Sequence, residues 1–200
     1  MPIEQSPAPA GRPRDPGVEH SILTATQELL VDRGYAGTTI AAVASRARCG
    51  KSAIYRRWTT KPELVVAAVR ATQHAQETPD TGNLREDLLG AALHFADSGD
   101  RSGLVLASVL SEIGRDPQLF EAAYRVIGGP PVDALIAVIE RWQAKGAISP
   151  EVHVRLIADI VPTAAFGSVT LRKRGLDRDT VAELVDHVVL PALGVPAQRA

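Results

Sequence analysis

Apolar residues recur along most of this chain at the three- and four-residue spacing of amphipathic helices. The repeat predicts helices over residues 18–33, 39–47, 51–58 and 61–76, followed by a series of further helices from residue 84 onward. No strand-like alternation of useful length interrupts the pattern. We therefore predict an all-α fold.

Capping residues, glycines and prolines mark where these helices begin and end. Thr60 precedes Lys61-Pro62-Glu63, an arrangement in which Thr60 caps the Glu63 amide and proline occupies the first turn. Breakers in the second half lie at residues 98–100, 115–117, 128–131, 145–146 and 173–175. Pro162 lies inside a predicted helix over residues 150–174, so we expect a kink near Ala158.

The helices at residues 39–47 and 51–58 are short and are separated by a tight turn, Arg48-Cys49-Gly50. The surrounding stretch, residues 38–61, contains no carboxylate and six cations: Arg46, Arg48, Lys51, Arg56, Arg57 and Lys61. If Ile54 and Trp58 face inward, the second helix presents Lys51, Ser52, Tyr55 and Arg56 outward. Cations, a hydroxyl and a phenol on one helix face suit the major groove of DNA.

This region resembles the DNA-binding domain of the tetracycline-repressor (TetR/AcrR) family over about residues 16–76. The matching positions are Gly34-Tyr35, Thr38-Thr39-Ile40, Val43-Ala44, Ala47, Lys51-Ser52-Ala53-Ile54-Tyr55-Arg56-Arg57-Trp58, Lys61 and Leu64. Two positions depart from the family pattern: Arg48 stands where glycine is usual in the turn, and Gly50 where serine or threonine often caps the second helix. Because a side chain at positive φ is costly, Arg48 predicts a strained or rearranged turn.

The resemblance implies a set of DNA-binding residues in and beside the helix-turn-helix of residues 39–58. They are Thr39, Lys51, Ser52, Ala53, Tyr55, Arg56, Arg57 and Lys61. From their placement we expect Lys51, Ser52 and Arg56 to read base edges. Thr39, Tyr55 and Lys61 are expected mainly to hold phosphates, which fix position rather than sequence.

Composition and the resemblance together divide the chain. Residues 1–15 are proline-rich and predict a disordered arm, and residues 16–76 form the helix-turn-helix domain. A fourth helix joins it to a larger helical domain, residues 77–200, for effector binding and dimerisation. Residues 1–70 hold ten Lys and Arg against six Asp and Glu, although the net charge of the chain is −1, so we expect the basic half to face DNA.

The second domain carries aromatic residues that could line an effector pocket: Phe95, Phe120, Tyr124, Trp142 and Phe166. His94 and Arg141 are near in sequence and could orient a ligand. Taken singly, each aromatic residue is better explained by an ordinary core. The resemblance is what implies a small-molecule effector in this domain.

The last helical stretch, residues 178–190, has the clearest apolar stripe in the chain: Val181, Leu184, Val185, Val188 and Val189. With the helix over residues 150–174, whose small residues permit close approach, it resembles the pair of helices through which family members dimerise. We expect the stripe at a homodimer interface. The alternative is that both helices only cover the core of one protomer.

Other chemistry finds little support in the residues. The five histidines are scattered, and no nucleophile elbow, phosphate-binding glycine loop or paired-carboxylate motif is present, so we expect no metal, no cofactor and no enzymatic activity. Cys49 in the turn suits either a redox-sensing thiol or a small buried hydrophobe. With no signal-peptide pattern and no apolar run near the roughly 18–20 residues of a membrane span, we expect a cytoplasmic protein without membrane association.

The sequence thus predicts a homodimeric transcriptional regulator, most often a repressor in this family. It would bind a palindromic operator in double-stranded DNA and be released by a small molecule. Two alternatives stay open: a DNA-binding factor with no effector, and a helical enzyme or ligand carrier whose basic patch is incidental. The coincidence of the acid-free stretch with the outward-facing helix argues against the second.

Overall fold

The computed structural model describes residues 16–73, 77–96, 101–172 and 174–195, and within them the chain is helical and has no β-strand. The helices are α1 (Pro16–Gly37), α2 (Ile40–Arg46), α3 (Lys51–Tyr55), α4 (Lys61–Arg70), α5 (Leu84–Ala92), α6 (Arg101–Leu110), α7 (Pro117–Ala123), α8 (Gly129–Ala144), α9 (Val154–Ala158), α10 (Ile160–Gly167), α11 (Arg178–Leu184) and α12 (Leu190–Ala192). A 3₁₀ turn (Leu93–Phe95) follows α5, and π-helical turns (Tyr124–Gly128, Ser168–Arg172, Val185–Val189) follow α7, α10 and α11. The all-α prediction is confirmed. The predicted arm at residues 1–15 and the predicted helix end at residues 74–76 lie outside the described residues.

The first three helices surround one apolar cluster. Its buried members are Ile22, Ala25, Leu29, Val43, Ala44, Ile54 and Leu64, with Trp58 packed against them. Thr39 caps α2 as expected, because its Oγ1 accepts a hydrogen bond from the Ala42 amide at 3.1 Å. Gly34, the predicted end of the first helix, is a kink with φ 66° and ψ −177°, beyond which α1 makes its last turn.

α4 begins where the capping pattern placed it but ends early. Thr60 Oγ1 accepts from the Glu63 amide at 3.3 Å, and Glu63 Oε2 accepts from the Thr59 amide at 2.8 Å. The helix stops at Arg70, with residues 71–73 in a turn, so the prediction that it runs to residue 76 is wrong. The Thr72 hydroxyl donates to the Val69 carbonyl at 2.7 Å and so competes with the backbone bonds that would continue the helix.

A second apolar cluster joins the two halves of the chain. α1 and α4 contribute Leu30, Val65, Val66 and Val69, and the following helices contribute Val105, Val109, Leu119, Ala122, Ala123 and Ile127. Because these side chains are close-packed, a displacement of α6 or α7 must be accommodated by α1 and α4. α4 is therefore a shared core helix rather than an isolated connecting rod.

The third and largest cluster lies in the second half. It consists of Leu88, Ala91, Ala92, Leu135, Val138, Ile139, Ile148, Ile157, Ala158, Val161, Ala165, Leu176, Val181, Val185, Val189, Leu190 and Leu193. α5 and α8 form one side of it, and the helices after residue 153 form the other. The apolar stripe of α11 and the π-helical turn after it supplies three of these buried residues, Val181, Val185 and Val189, which bears on the expected dimer interface below.

Two predicted helix boundaries in the second half require correction, and the kink predicted near Ala158 is confirmed. The helix that begins at Pro117 does not break at residues 128–131 but widens into a π-helical turn and continues to Ala144. Gly129 permits this, because a β-carbon there would lie 3.0 Å from the Tyr124 carbonyl oxygen. The helix expected from residue 150 starts instead at Val154, and its break falls at Asp159, one residue beyond the kink predicted from Pro162.

Two helical stretches of the described residues, Pro117–Ala144 and Val154–Arg172, are long and apolar enough to cross a membrane by length and composition alone. The expectation from the sequence had considered only uninterrupted apolar runs. The first stretch carries Leu135, Val138 and Ile139 in the core. In the second, only 22% of the apolar window is buried within the protomer, so much of its apolar surface is left for another molecule to cover.

Candidate DNA-binding interface and effector cavity

The turn between α2 and α3 contains the strained residue that the sequence predicted. Arg48 has φ 52°, the only positive φ of a non-glycine residue among those described. It occupies the left-handed region at the position where the family usually has glycine. Gly50, with φ −77° and ψ 148°, is the N-cap of α3 and offers no side-chain cap, so the serine or threonine of the family pattern is not replaced by another capping group.

α3 presents an exposed polar face. Lys51, Ser52 and Arg56 are exposed, Tyr55 is 53% exposed, and Ala53 is half-buried. Ile54 on the opposite side is fully buried and anchors the helix. Thr39 is exposed beside this face, at the start of α2. The arrangement agrees with the outward set expected from the sequence.

Three of the six cations in residues 38–61 are engaged within the protein: Arg46, Arg57 and Lys61. Arg46 Nη1 lies 2.8 Å from Asp32 Oδ2 and 3.5 Å from Glu28 Oε2 on α1. Arg57 Nε lies 3.5 Å from Glu19 Oε2, and its Nη1 donates to the Ala53 carbonyl at 3.1 Å. The remaining three, Arg48, Lys51 and Arg56, are exposed and form no ion pair with the residues that the structure describes.

Arg57 and Lys61 make contacts within the protein that bear on their expected roles. The side chain of Arg57 is 9% exposed and points toward Glu19 on α1. Lys61 Nζ donates to the Tyr35 carbonyl at 2.6 Å and lies 3.8 Å from the centre of the Tyr35 ring. Burial lowers the pKa of Lys61. Both residues hold the helix-turn-helix together, and neither geometry favours a phosphate contact.

A polar junction at Tyr35 connects the helix-turn-helix to the second domain. The Tyr35 hydroxyl donates to Asp116 Oδ2 at 2.9 Å, and burial together with this carboxylate raises the pKa of the phenol. Asp116 is also the N-cap of α7, accepting from the Gln118 and Leu119 amides at 3.0 Å. No sequence pattern linked residues 35 and 116, because they are distant along the chain and meet only in the fold.

Cys49 lies half-buried in the turn. Burial raises the pKa of its thiol, and the nearby charge of Arg57 only partly opposes this. A raised pKa reduces the thiolate fraction, which is the reactive form. The environment therefore resembles that of a small hydrophobe more than that of a redox sensor.

The five aromatic residues expected around an effector pocket do not converge. Phe120, Tyr124 and Phe166 are 52%, 51% and 44% exposed, and the rings of Phe120 and Tyr124 stack on the surface with centroids 6.1 Å apart. Phe95 packs at the edge of the large cluster. The indole Nε1 of Trp142 donates to Asp87 at 2.9 Å. The family resemblance had implied a pocket in this domain, but the helices direct these aromatic residues to different places.

Two cavities in the described part of the chain are candidates for a ligand. The first, about 240 Å³, lies among Gly82, Asn83, Leu84, Arg85, Trp142, Leu190 and Val195. The second, about 100 Å³, lies between the end of α4, the 77–79 segment, α5 and the start of α8. Only the second touches α4, the helix that also borders the DNA-binding face. It includes His94, which the sequence had named as a neighbour of the expected pocket.

A buried carboxylate near these cavities was not identified from the sequence. The Asp87 side chain is fully buried and accepts hydrogen bonds from the Thr81 amide (2.6 Å), the Thr81 hydroxyl (2.8 Å), Arg141 Nη2 (2.9 Å) and Trp142 Nε1 (2.9 Å). Arg141 also donates to the Pro79 carbonyl. The cluster ties the segment before α5 to α8. Among the described residues, no group of His, Cys, Asp and Glu side chains could hold a metal ion.

The expected dimer stripe lies largely inside the protomer. Val181, Val185 and Val189 are at most 3% exposed and belong to the large cluster, so the prediction that they meet a partner subunit is wrong. Val188 is 41% exposed, and Leu184, four residues earlier on the same face, is half-buried. On α9 and α10, Leu156 and Phe166 are 70% and 44% exposed. These four residues are apolar side chains that the protomer leaves partly or largely uncovered on the helix pair that the sequence had selected.

Comparison with known proteins identifies the family. The model described as "Bacterial regulatory proteins, tetR family" matches residues 22–68, and "Tetracyclin repressor-like, C-terminal domain" matches residues 78–188. An uncharacterised HTH-type transcriptional regulator of Mycobacterium tuberculosis is 32% identical over 189 residues, covering 92% of this chain and 94% of the relative. A DNA-binding transcriptional repressor, TetR, of Mycobacteroides abscessus is 28% identical over 173 residues, covering 85% and 90% of the two chains.

Solved structures share the fold. The TetR family transcription regulator SCO0332 superposes with a TM-score of 0.63 at 25% identity, covering 86% of this chain and 96% of the other. FadR from Bacillus subtilis, in complex with stearoyl-CoA, gives a TM-score of 0.62 at 17% identity with coverage of 83% and 96%, a likeness of fold alone. The chain therefore belongs to the tetracycline-repressor family of transcriptional regulators. It is a DNA-binding regulator and not an enzyme.

Proposed function

We propose that this regulator represses transcription in the cytoplasm by binding a palindromic operator as a homodimer, and that a small-molecule effector releases it. The observation that carries the DNA-binding half is the face of α3. Lys51, Ser52, Tyr55 and Arg56 are exposed there, whereas Arg46, Arg57 and Lys61 are engaged with α1, with the Ala53 carbonyl or with Tyr35. Such a face can enter the major groove only if the scaffold behind it is rigid, and Ile54 and Arg57 provide that support.

Within that face we propose a division of roles. Lys51, Ser52 and Arg56 read base edges, because they lie along the outer side of α3, and Ala53 permits its close approach. Tyr55 and Thr39 hold phosphates at its border. Exposed Arg48 in the adjoining turn replaces Lys61 as the third phosphate contact, because the Lys61 ammonium is already bound to Tyr35.

The test uses operator fragments selected from the organism's own DNA by binding and then sequenced. Arg56→Ala should cost about 1–3 kcal/mol at the selected operator and little on random DNA. Arg125→Ala is the matched control, since it removes an exposed arginine from α7's π-helical turn, far along the chain from α3. Equal losses on operator and random DNA for Arg56→Ala would contradict base reading by this residue.

The homodimer is proposed to form through the apolar side chains of Leu156, Phe166, Leu184 and Val188. The Val154–Arg172 stretch leaves Leu156 and Phe166 exposed, and a second copy meeting it across a two-fold axis would cover them. Two recognition helices related by that axis would be spaced for half-sites about 34–36 Å apart. The family division into a DNA-binding domain of residues 16–76 and an effector and dimerisation domain of residues 77–200 fits this arrangement.

The effector is proposed to bind in the cavity between α4, α5 and α8. An effector acts only through different affinities for the operator-bound and released arrangements, so its site must touch an element that differs between them. This cavity is bordered by Arg70 and Gln73 at the end of α4, whose other end borders the recognition helix. The alternative of an effector-independent factor would be favoured if no compound from a broad screen changed operator affinity.

A further inference from the structure

The cavity between α4, α5 and α8 is lined by four polar and seven apolar residues. The polar residues are Arg70, Gln73, Glu77 and His94. The apolar residues are Pro79, Ala91, Val126, Ile127, Pro130, Pro131 and Ala134. A pocket that is mostly apolar, with a few polar groups, orients a small ligand by its polar end.

Arg70 is the cation among the polar lining residues. It is exposed at the end of α4 and forms no ion pair with any residue that the structure describes. In the other cavity the corresponding cation, Arg85, is already neutralised, because its Nε and Nη2 donate to the Asp186 carboxylate at 2.6 and 2.7 Å. The cavity beside α4 therefore keeps a guanidinium available for an incoming anion, and guanidinium binds a carboxylate with two parallel hydrogen bonds.

His94 lies beside Arg70 and adds a donor without adding a charge. Burial lowers the pKa of the imidazole, and the charge of Arg70 lowers it further. A neutral imidazole carries one N–H that can donate to a carboxylate oxygen. Glu77 is the one carboxylate among the lining residues and is exposed, so it weakens an anion site only from the rim.

The size of the cavity limits the ligand. Its free volume is about 100 Å³, which at roughly 10–15 Å³ for each water-sized group accommodates roughly seven to ten non-hydrogen atoms. Pro130, Pro131 and Ala134 at the start of α8 belong to the apolar lining. A small aromatic or short aliphatic acid would fit this volume.

We infer that this cavity binds a small organic monocarboxylate, with its carboxylate toward Arg70 and His94 and its apolar body against Pro130 and Pro131. The inference deepens the proposed function and rests on it insofar as the bound acid acts as the effector. α4 is ten residues long and runs from Lys61, which is bonded to Tyr35, to Arg70 in the cavity. A carboxylate drawn to Arg70 would thus act on the same rigid helix that supports the recognition helix.

Benzoate and benzamide provide a matched pair of probes, because they share shape and size but differ in charge. Titration calorimetry on the full-length protein should show benzoate binding at least tenfold more tightly than benzamide. Arg70→Gln should lower benzoate affinity at least tenfold and leave benzamide affinity within twofold. Glu77→Gln should raise benzoate affinity a few-fold, because it removes a competing carboxylate from the rim, and Arg125→Gln should change neither ligand.

Three outcomes would overturn the inference: no benzoate binding at millimolar concentration, equal binding of benzoate and benzamide, or an Arg70→Gln protein that binds benzoate normally. Operator release is measured separately with labelled DNA. If benzoate binds through Arg70 while operator affinity is unchanged, the anion site stands and its proposed role in release fails. If another compound releases the operator and benzoate does not bind, effector release stands and the anion site fails.

Discussion

The contacts of the long cationic side chains determine which residues of the basic stretch are available to bind DNA. Helical spacing correctly placed Ile54 inside and Lys51, Ser52, Tyr55 and Arg56 outside, because direction on a helix is fixed by sequence position. It could not place the ends of Arg57 and Lys61, since their partners, Glu19 and the Tyr35 carbonyl, are far away in sequence. The tertiary structure determines which partner a long, flexible side chain contacts, and helical periodicity does not describe the tertiary structure.

Backbone strain at a single residue was more predictable. The departure of Arg48 from the family's glycine gave the position of a positive φ, and the structure has φ 52° there. A conformational requirement of this kind is local to the turn, so one residue reveals it. The buried carboxylate of Asp87 shows the opposite case, because nothing in its neighbouring residues distinguishes it from the exposed Glu86 beside it.

Asp87 provides a prediction of pH dependence. Burial tends to raise its pKa, but the hydrogen bonds from Thr81, Trp142 and Arg141 outweigh burial and lower the pKa to about 2. Because the folded pKa lies below the ordinary value, this carboxylate contributes stability that is present above about pH 4 and is lost as pH falls toward 2. Asp87→Asn should cost about 3–5 kcal/mol at neutral pH, since it leaves Arg141 without its buried partner. It should also flatten the loss of stability between pH 4 and pH 2.

Urea unfolding at a series of pH values measures both effects. Asp80→Asn is the control, because Asp80 is exposed and lies 3.5 Å from the same guanidinium. It should change stability by less than about 1 kcal/mol. A parallel acid loss in the Asp87→Asn variant and the unmodified protein would show that other carboxylates control this transition.

At the level of whole helices, the spacing of apolar residues identified the helices but not which side of each helix is covered by the rest of the protomer. The stripe of α11 is wide enough to serve two faces. The protomer core takes Val181, Val185 and Val189, and Leu184 and Val188 remain on the neighbouring face. The helical period of 3.6 residues gives the angle between these residues around the helix, but only the packing against α5 determines which of them are buried.

The predicted break at residues 128–131 is wrong for a related reason. Glycine and proline permit a helix to end, but a π-helical turn can also continue the helix through them.

Substitutions at Val185 and Val188, which are three residues apart, distinguish an effect on folding from an effect on association. Val188→Asp places a charge on the exposed face and should leave helix content intact while weakening the dimer by several kcal/mol, because the charge would lose its hydration at the interface. Val185→Asp, at a site 1% exposed, should instead destabilise the protomer itself. Sedimentation velocity and circular dichroism at micromolar concentration distinguish the two results. An intact dimer for Val188→Asp would place the interface elsewhere, and a well-folded monomer for Val185→Asp would restore the stripe first expected.

Over the whole molecule, the two domains are joined in more ways than one helix. α1 packs against α6 and α4 against α7 through a common apolar cluster, and the Tyr35 hydroxyl bonds to Asp116 at the start of α7. The sequence predicted the order of domains and the capping role of Thr60 because these are local. It could not predict that Asp116 also receives Tyr35, since that bond depends on how two separately predicted helices meet.

Tyr35→Phe tests whether this bond carries the signal from effector to operator. The substitution keeps the ring beneath Lys61 and removes only the hydroxyl, whose bond to a carboxylate is worth about 1.5–3 kcal/mol. Release of operator by a hundredfold requires about 2.7 kcal/mol of differential binding. One such bond, present in one arrangement and absent in the other, supplies a comparable free energy.

We expect Tyr35→Phe to reduce at least threefold the factor by which a saturating effector lowers operator affinity, while effector affinity for the free dimer stays unchanged. Tyr124→Phe is the control, because it removes an exposed phenol that is not part of the Tyr35–Asp116 pair and should leave the factor as it was. Linkage requires the reverse measurement to agree: operator DNA must lower effector affinity by the same factor in each protein. If Tyr35→Phe and Tyr124→Phe both keep the original factor, the polar junction is only structural, and the coupling passes through the apolar packing of α4 against α7.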